Sequence, residues 1–189
     1  MEADWEVEIG PGTHAIDAFW AGWIDLRRQP ERVAEVAEIA QFPALGHALL
    51  RINDPDSQLW TSKCDVWLLD DCDPDEMEAE PADAAFGQAC YCDVLPRREE
   101  VFPTLESAEA WARSLVKQLR LQTSFCSRID VILRQAIAGE CEGFAATVYV
   151  VGCGASEEQA ALALGSALTV AAEVLARNLV ELDTAKPLQ

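Results

Sequence analysis

Apolar and polar residues alternate near the start of the chain, with Trp5, Val7 and Ile9 set against Glu6 and Glu8. That is the two-residue period of a half-buried strand, and Gly10, Pro11 and Gly12 supply a turn after it. Phe19 to Leu26 is aromatic and β-branched enough for a second strand, although Ala21 and Gly22 blur its alternation. The period then lengthens. Pro30 suits the first turn of a helix, and Val33, Val36, Ala37 and Ala40 recur at helical spacing until Pro43, with a short continuation over Leu45 to Arg51. Beyond a loop at Asn53 to Asp56, Trp60, Cys64, Val66 and Leu68 fall on one side of a strand and Thr61, Lys63, Asp65 and Trp67 on the other.

The second half repeats the alternation more clearly. Cys90, Cys92 and Val94 share one strand face and Tyr91 and Asp93 the opposite one. Thr104 is a natural N-cap, after which Leu105, Ala108, Trp111, Ala112, Leu115, Val116 and Leu119 form one apolar helical stripe. Arg128 to Ile137 alternates as a strand, and Phe144 to Val151 is apolar on both faces, as a central strand is. Ser156 with Gln159 has the capping-box pattern and opens a long terminal helix whose core stripe is Leu164, Leu168, Ala171, Leu175, Leu179 and Leu182.

Strand, strand, helix is thus stated three times. The expectation is an α+β fold: a two-layer sandwich in which a largely antiparallel sheet of about six strands carries helices on one face. One domain spans residues 1–189, with a mobile acidic loop at 70–86 that has no apolar period. Leu162, Val170 and Val180 interrupt the polar stripe of the terminal helix. That excess of apolar surface predicts a homodimer formed through this helix, with cover by another element of the same chain as the rival explanation.

Charge narrows the functional classes. The chain has 33 acids against 14 bases, a net charge of −19, and Cys64 to Pro96 holds ten acids in 33 residues with no Lys or Arg. A field of that sign repels phosphate backbones and anionic lipids, so neither nucleic acid nor a membrane is an expected partner. Solubility is the simpler account of the charge, and a basic protein partner is the sharper one. Seven cysteines, an odd number, are scattered through apolar segments, and Met1, Glu2, Ala3 and Asp4 do not resemble a secretory leader. Reduced thiols and a cytoplasmic location are expected.

Candidate chemistry is sparse. Asp71, Asp73 and Asp75 alternate as in a calcium loop, but Glu76 stands where the turn needs Gly and Ala82 where a bidentate Glu is required. Gly152, Cys153, Gly154, Ala155 and Ser156 partly match a phosphate-cradling turn, yet Glu157 and Glu158 follow and oppose an anion, so the segment reads as a strand-to-helix connection. Neither His14 nor His47 lies in a nucleophile or zinc motif, and no cofactor or metal is expected.

The candidate site is therefore a surface. If the strands are neighbours, they send Lys63, Asp65 and Trp67, then Tyr91 and Asp93, then Arg128, Asp130 and Arg134 to the face opposite the helices. Aromatic anchors mixed with both charge signs suit recognition of a protein or peptide partner by a noncatalytic protein. The alternative is a small-molecule-binding protein or enzyme using Asp65, Asp93 and Asp130 as carboxylates, with Arg128 or Arg134 holding an anion.

Overall fold

In a computed structural model, which describes residues 1–69 and 72–177, the chain forms an α+β fold with one open, mixed six-stranded sheet and helices on one face. The strands are β1 (Glu2–Val7), β2 (Ile16–Asp17), β3 (Leu59–Leu69), β4 (Phe86–Pro96), β5 (Ser127–Ala138) and β6 (Cys141–Gly154). The helices are α1 (Ala37–Gln41), α2 (Pro43–Ile52), α3 (Leu105–Leu119) and α4 (Glu157–Arg177), with 3-10 turns at Pro30–Glu35 and Pro81–Ala84.

The sheet runs β1-β5-β6-β4-β3. The β3–β4, β4–β6 and β6–β5 pairs are antiparallel, whereas β1 and β2 both lie parallel to β5 and together line its outer side. The first unit is thus not a hairpin. Its expected second strand over Phe19 to Leu26 is absent: this segment is turns, and only Ile16–Asp17 joins the sheet. The aromatics that suggested a strand serve elsewhere, as described below.

The helical face carries the main core. Ile129, Val131 and Leu133 from β5, Ala146, Val148 and Val150 from β6, and Cys90, Cys92 and Val94 from β4 are buried beneath α2, α3 and α4. The expected stripe of α3 is buried from Ala108 to Leu119, and Thr104 closes a capping box with Ser107. Such a cap stabilises a helix by about 1 kcal/mol. At the start of α4 the Ser156 hydroxyl accepts from the Gln159 amide, and the Gln159 side chain accepts from Ala155 N.

Gly152 and Gly154 explain the connection before α4. A Cβ on Gly152 would overlap the α4 backbone at Leu164, and one on Gly154 would crowd Gln159 and Ala160. The glycines admit a helix close to the sheet, and the space a phosphate would need is filled by the chain itself. Helix α4 has the length and apolar composition of a membrane span, with half of that window buried inside the fold. Its buried residues Leu164, Ala167, Leu168, Ala171, Ala172, Val174 and Leu175 belong to the core shared with α2 and α3, and Val170 packs against that core. Of the three residues that interrupt its polar stripe, Val170 is thus covered within the chain. Leu162 remains 67% exposed, and Leu179, Val180 and Leu182 lie outside the described residues.

Candidate functional site

The register gathers all eight candidate residues on the face away from the helices. Asp65 stands opposite Tyr91, Tyr91 opposite Tyr149, Tyr149 opposite Asp130, and Asp130 opposite Asp4, which gives one row across β3, β4, β6, β5 and β1. A second row runs Trp67, Ala89, Val151, Arg128 and Glu2, and a third holds Asp93, Thr147, Ile132 and Glu6. Lys63 and Arg134 border the third row, where both line a pocket with Tyr91 and Asp93.

Two details differ from the alternation read in the sequence. A register shift between Thr61 and Cys64 sets Trp60 opposite Leu95, on the Asp93 face, and turns Thr61 to the Cys64 face opposite Val94. Trp60 and Thr61 thus exchange sides relative to the expectation. Further, β6 lies between β4 and β5, so Thr147 and Tyr149 occupy the middle of the site although their strand reads as apolar on both faces. The alternation of Thr147 and Tyr149 with Ala146, Val148 and Val150 is the signal that betrays them.

Both ends of this face are closed. At one end Trp60, Leu95, Val101, Ala136 and Ala145 form a second core with Ile16, Ala18 and Trp23. Phe19 stacks on Trp60 at 5.7 Å, and the Arg27 guanidinium lies 4.0 Å from the Trp60 ring while Asp25 and Glu100 neutralise it. The apolar and aromatic residues of the segment after β2 thus form a plug over the sheet. At the other end Met77 and Ala84 of the acidic segment are buried against Cys153 and pack with Cys72 and Cys126. Cys72 Sγ occupies the place of the missing Cβ of Gly87. The acidic segment is anchored to the sheet by these few apolar residues; Asp70 and Asp71 lie outside the described residues.

Between the two plugs the face is an uncovered trough. Its floor is an aromatic trio, with ring centroids 6.2 Å apart for Trp67 and Tyr91, 6.4 Å for Trp67 and Tyr149, and 5.6 Å for Tyr91 and Tyr149. Trp67 and Tyr91 are half-buried, and Lys63 and Asp65 are exposed. The trough divides into a pocket of about 470 Å³ that includes His14, Asp17, Trp20, Lys63, Tyr91 and Asp93, and one of about 450 Å³ that includes Asp4, Glu6, Arg128 and Asp130, with Tyr149 shared. Trp20 is 37% exposed and forms part of the first pocket's wall.

A polar chain crosses the trough. Arg134 donates to Glu8 through Nε at 2.8 Å and Nη2 at 2.6 Å, and its Nη1 donates to Thr147 Oγ1 at 3.1 Å and Tyr149 Oη at 3.4 Å. Thr147 in turn donates to Asp93 Oδ1 at 2.6 Å. Asp93 is only 7% exposed. Burial lifts its carboxyl to about 6, against the opposing pull of the Thr147 hydrogen bond and the Arg134 and Lys63 charges. Burial likewise pushes the Tyr91 phenol up.

The carboxylates of the enzyme reading are distributed differently. Asp130 is held by Arg128 at 2.8 Å, Asp65 is exposed with Oδ1 accepting from Val66 N, and only Asp93 is buried. Six of the seven thiols form two groups, Cys64, Cys90 and Cys92 under the helices and Cys72, Cys126 and Cys153 beneath the acidic segment, while Cys141 is exposed. Burial raises Cys64 and Cys153 to about 12, which keeps both as unreactive thiols near neutrality.

The dominant feature of the trough is its charge. Strand β1 contributes Glu2, Asp4 and Glu6 and is followed by Glu8, and Asp65, Asp93 and Asp130 join them, against Lys63, Arg128 and Arg134. Two of those three cations are already committed, to Asp130 and Glu8. No protein-family model, curated protein or solved structure matches this chain.

Proposed function

We propose that this protein is a noncatalytic recognition domain that binds a basic segment of a partner protein along the trough of its open sheet face. The observation that carries this reading is the aromatic trio of Trp67, Tyr91 and Tyr149 lying uncovered among carboxylates that outnumber the neighbouring cations. Aromatic rings supply large contact area at little cost in side-chain entropy, and their faces attract cations. The carboxylates add long-range attraction, which speeds encounter and excludes acidic competitors. A sheet face offers side chains rather than backbone groups, so the partner is read by its side chains. The reading needs no second copy of the chain.

Calorimetric titration of the full chain with a Lys-rich peptide tests it. Binding is expected at about 0.05 M salt and should weaken steeply toward 0.5 M, where charges beyond roughly 4–5 Å are screened. Trp67→Ala should lower affinity about tenfold or more while the protein stays folded. Absence of binding at low salt, or a Trp67→Ala protein that binds as well as wild type, would overturn the proposal.

A further inference from the structure

The pocket beside Asp93 lies within the trough but differs from the open acidic rim. Its volume is about 470 Å³, enough for one long side chain, and Trp20, Tyr91 and Tyr149 make its walls aromatic. Asp93 is buried, and its one hydrogen bond among the described residues engages Oδ1, from Thr147. Arg134 also borders the pocket, but its charge is balanced by Glu8. That leaves Asp93 and Asp17 against Lys63, so the pocket is short of one positive charge. Lys63 is exposed, so water screens its charge from the buried Asp93 carboxyl.

We propose that this pocket receives a single cationic side chain, a lysine or arginine of the basic partner, with its charge against Asp93 and its stem between Trp20 and the two tyrosine rings. The inference rests on the basic-partner reading above and assigns one residue of that partner its own socket. A buried carboxylate is expensive to leave unpaired, so an incoming cation gains more here than at the exposed rim. Entry of the cation requires ionised Asp93, which links binding to proton release. Affinity should therefore rise as pH climbs through the Asp93 range. His14, Asp17, Lys63, Tyr91, Tyr149 and Arg134 face the same space, and His14→Gln serves as the control for the imidazole among them.

The experiment compares the Lys-rich peptide with the same peptide carrying norleucine at each lysine position in turn, on wild type, Asp93→Asn and His14→Gln. In wild type one norleucine position should cost about tenfold and the others much less. Asp93→Asn should erase the difference between positions and flatten the rise in affinity between about pH 5 and pH 7.5, whereas His14→Gln should keep that rise. Circular dichroism checks that each variant is folded. If the peptide binds wild type and Asp93→Asn equally at every pH, the socket is overturned while the partner reading stands. If the peptide does not bind wild type at all, both fall.

Discussion

The two faces of the sheet are made by the same strands and answer to opposite demands. On β4 the buried Cys90, Cys92 and Val94 alternate with Tyr91 and Asp93; on β6 Ala146, Val148 and Val150 alternate with Thr147 and Tyr149; on β5 Ile129, Val131 and Leu133 alternate with Asp130 and Ile132. The helical face is mostly apolar, with Thr61 and Ser127 among its few buried polar residues. The other face is covered only at its ends, where Trp60, Leu95 and Ala145 meet one plug and Cys153 meets the other. A chain able to close both ends with its own residues leaves the centre polar and open, so the exposed trio is not a leftover of incomplete packing.

The comparison predicts opposite responses to substitution. Leu164 is fully buried on α4 against the sheet, and Leu164→Ala should destabilise the protein by roughly 3–5 kcal/mol, as lost burial and an unfilled cavity add. Chemical denaturation measures this as a lowered midpoint. A loss below about 1 kcal/mol would mean that the helical layer is far looser than close packing requires.

Asp93 should behave in the reverse sense. Its folded value of about 6 lies above the ordinary 3.8, so the folded state binds this proton more tightly than the unfolded chain does. The associated stability is full below about pH 4 and is lost as pH rises through 6, a total of roughly 3 kcal/mol by the usual conversion. Asp93→Asn keeps an oxygen for the Thr147 hydroxyl and removes the buried charge. It should therefore be more stable than wild type by about 2–3 kcal/mol at pH 8, with the gap closing below about pH 4. Denaturation across pH would sink this idea if the two proteins ran parallel. A position that stabilises the fold when its charge is removed, and weakens peptide binding at the same time, is what separates a binding residue from a structural one.

The elements themselves were legible in the sequence because alternation and helical stripes are local. β3, β5, β6, α3 and α4 lie where their patterns place them, and each of the eight candidate side chains reaches the same face. Three things were not local. The register shift between Thr61 and Cys64 leaves no trace in the alternation, so the pattern alone places Trp60 and Thr61 on the wrong sides. Strand order depends on contacts between distant segments, and this hid Thr147 and Tyr149 in a strand that looked wholly buried. Phe19, Trp20 and Trp23 carry the propensity of a strand, but Phe19 and Trp23 pack their rings against Trp60 and Trp20 lines the pocket, which tertiary packing decides.

Trp67→Ala offers a smaller stability effect than either buried position. The indole is half-buried and touches Tyr91 and Tyr149, and edge-to-face contacts of this kind contribute about 0.5–1.5 kcal/mol beyond area burial. A loss of about 1–2 kcal/mol is expected, measured by denaturation beside the tenfold or greater loss of peptide affinity. A stability loss as large as that of Leu164→Ala would move Trp67 from the recognition surface to the core.

The smallest stability effect should come from Arg128. It meets Asp130 through Nε and Nη2 at 2.8–3.0 Å, but the two side chains are 30% and 31% exposed and lie on one strand. Water screens such a pair, and the two residues already share a strand, so the pair ties no distant parts of the fold together. Arg128→Gln should change stability by less than about 0.5 kcal/mol near physiological salt. Its effect on binding has the other sign from every change above: removing a cation frees Asp130 and makes the trough more acidic, so affinity for the Lys-rich peptide should rise about two- to fivefold at low salt, and the gain should fade as salt screens it. On the helical face a lost side chain can only weaken the protein. An Arg128→Gln protein that binds the basic peptide less well would show that the trough reads an acidic group on its partner, and the assignment of charge across this face would have to be reversed.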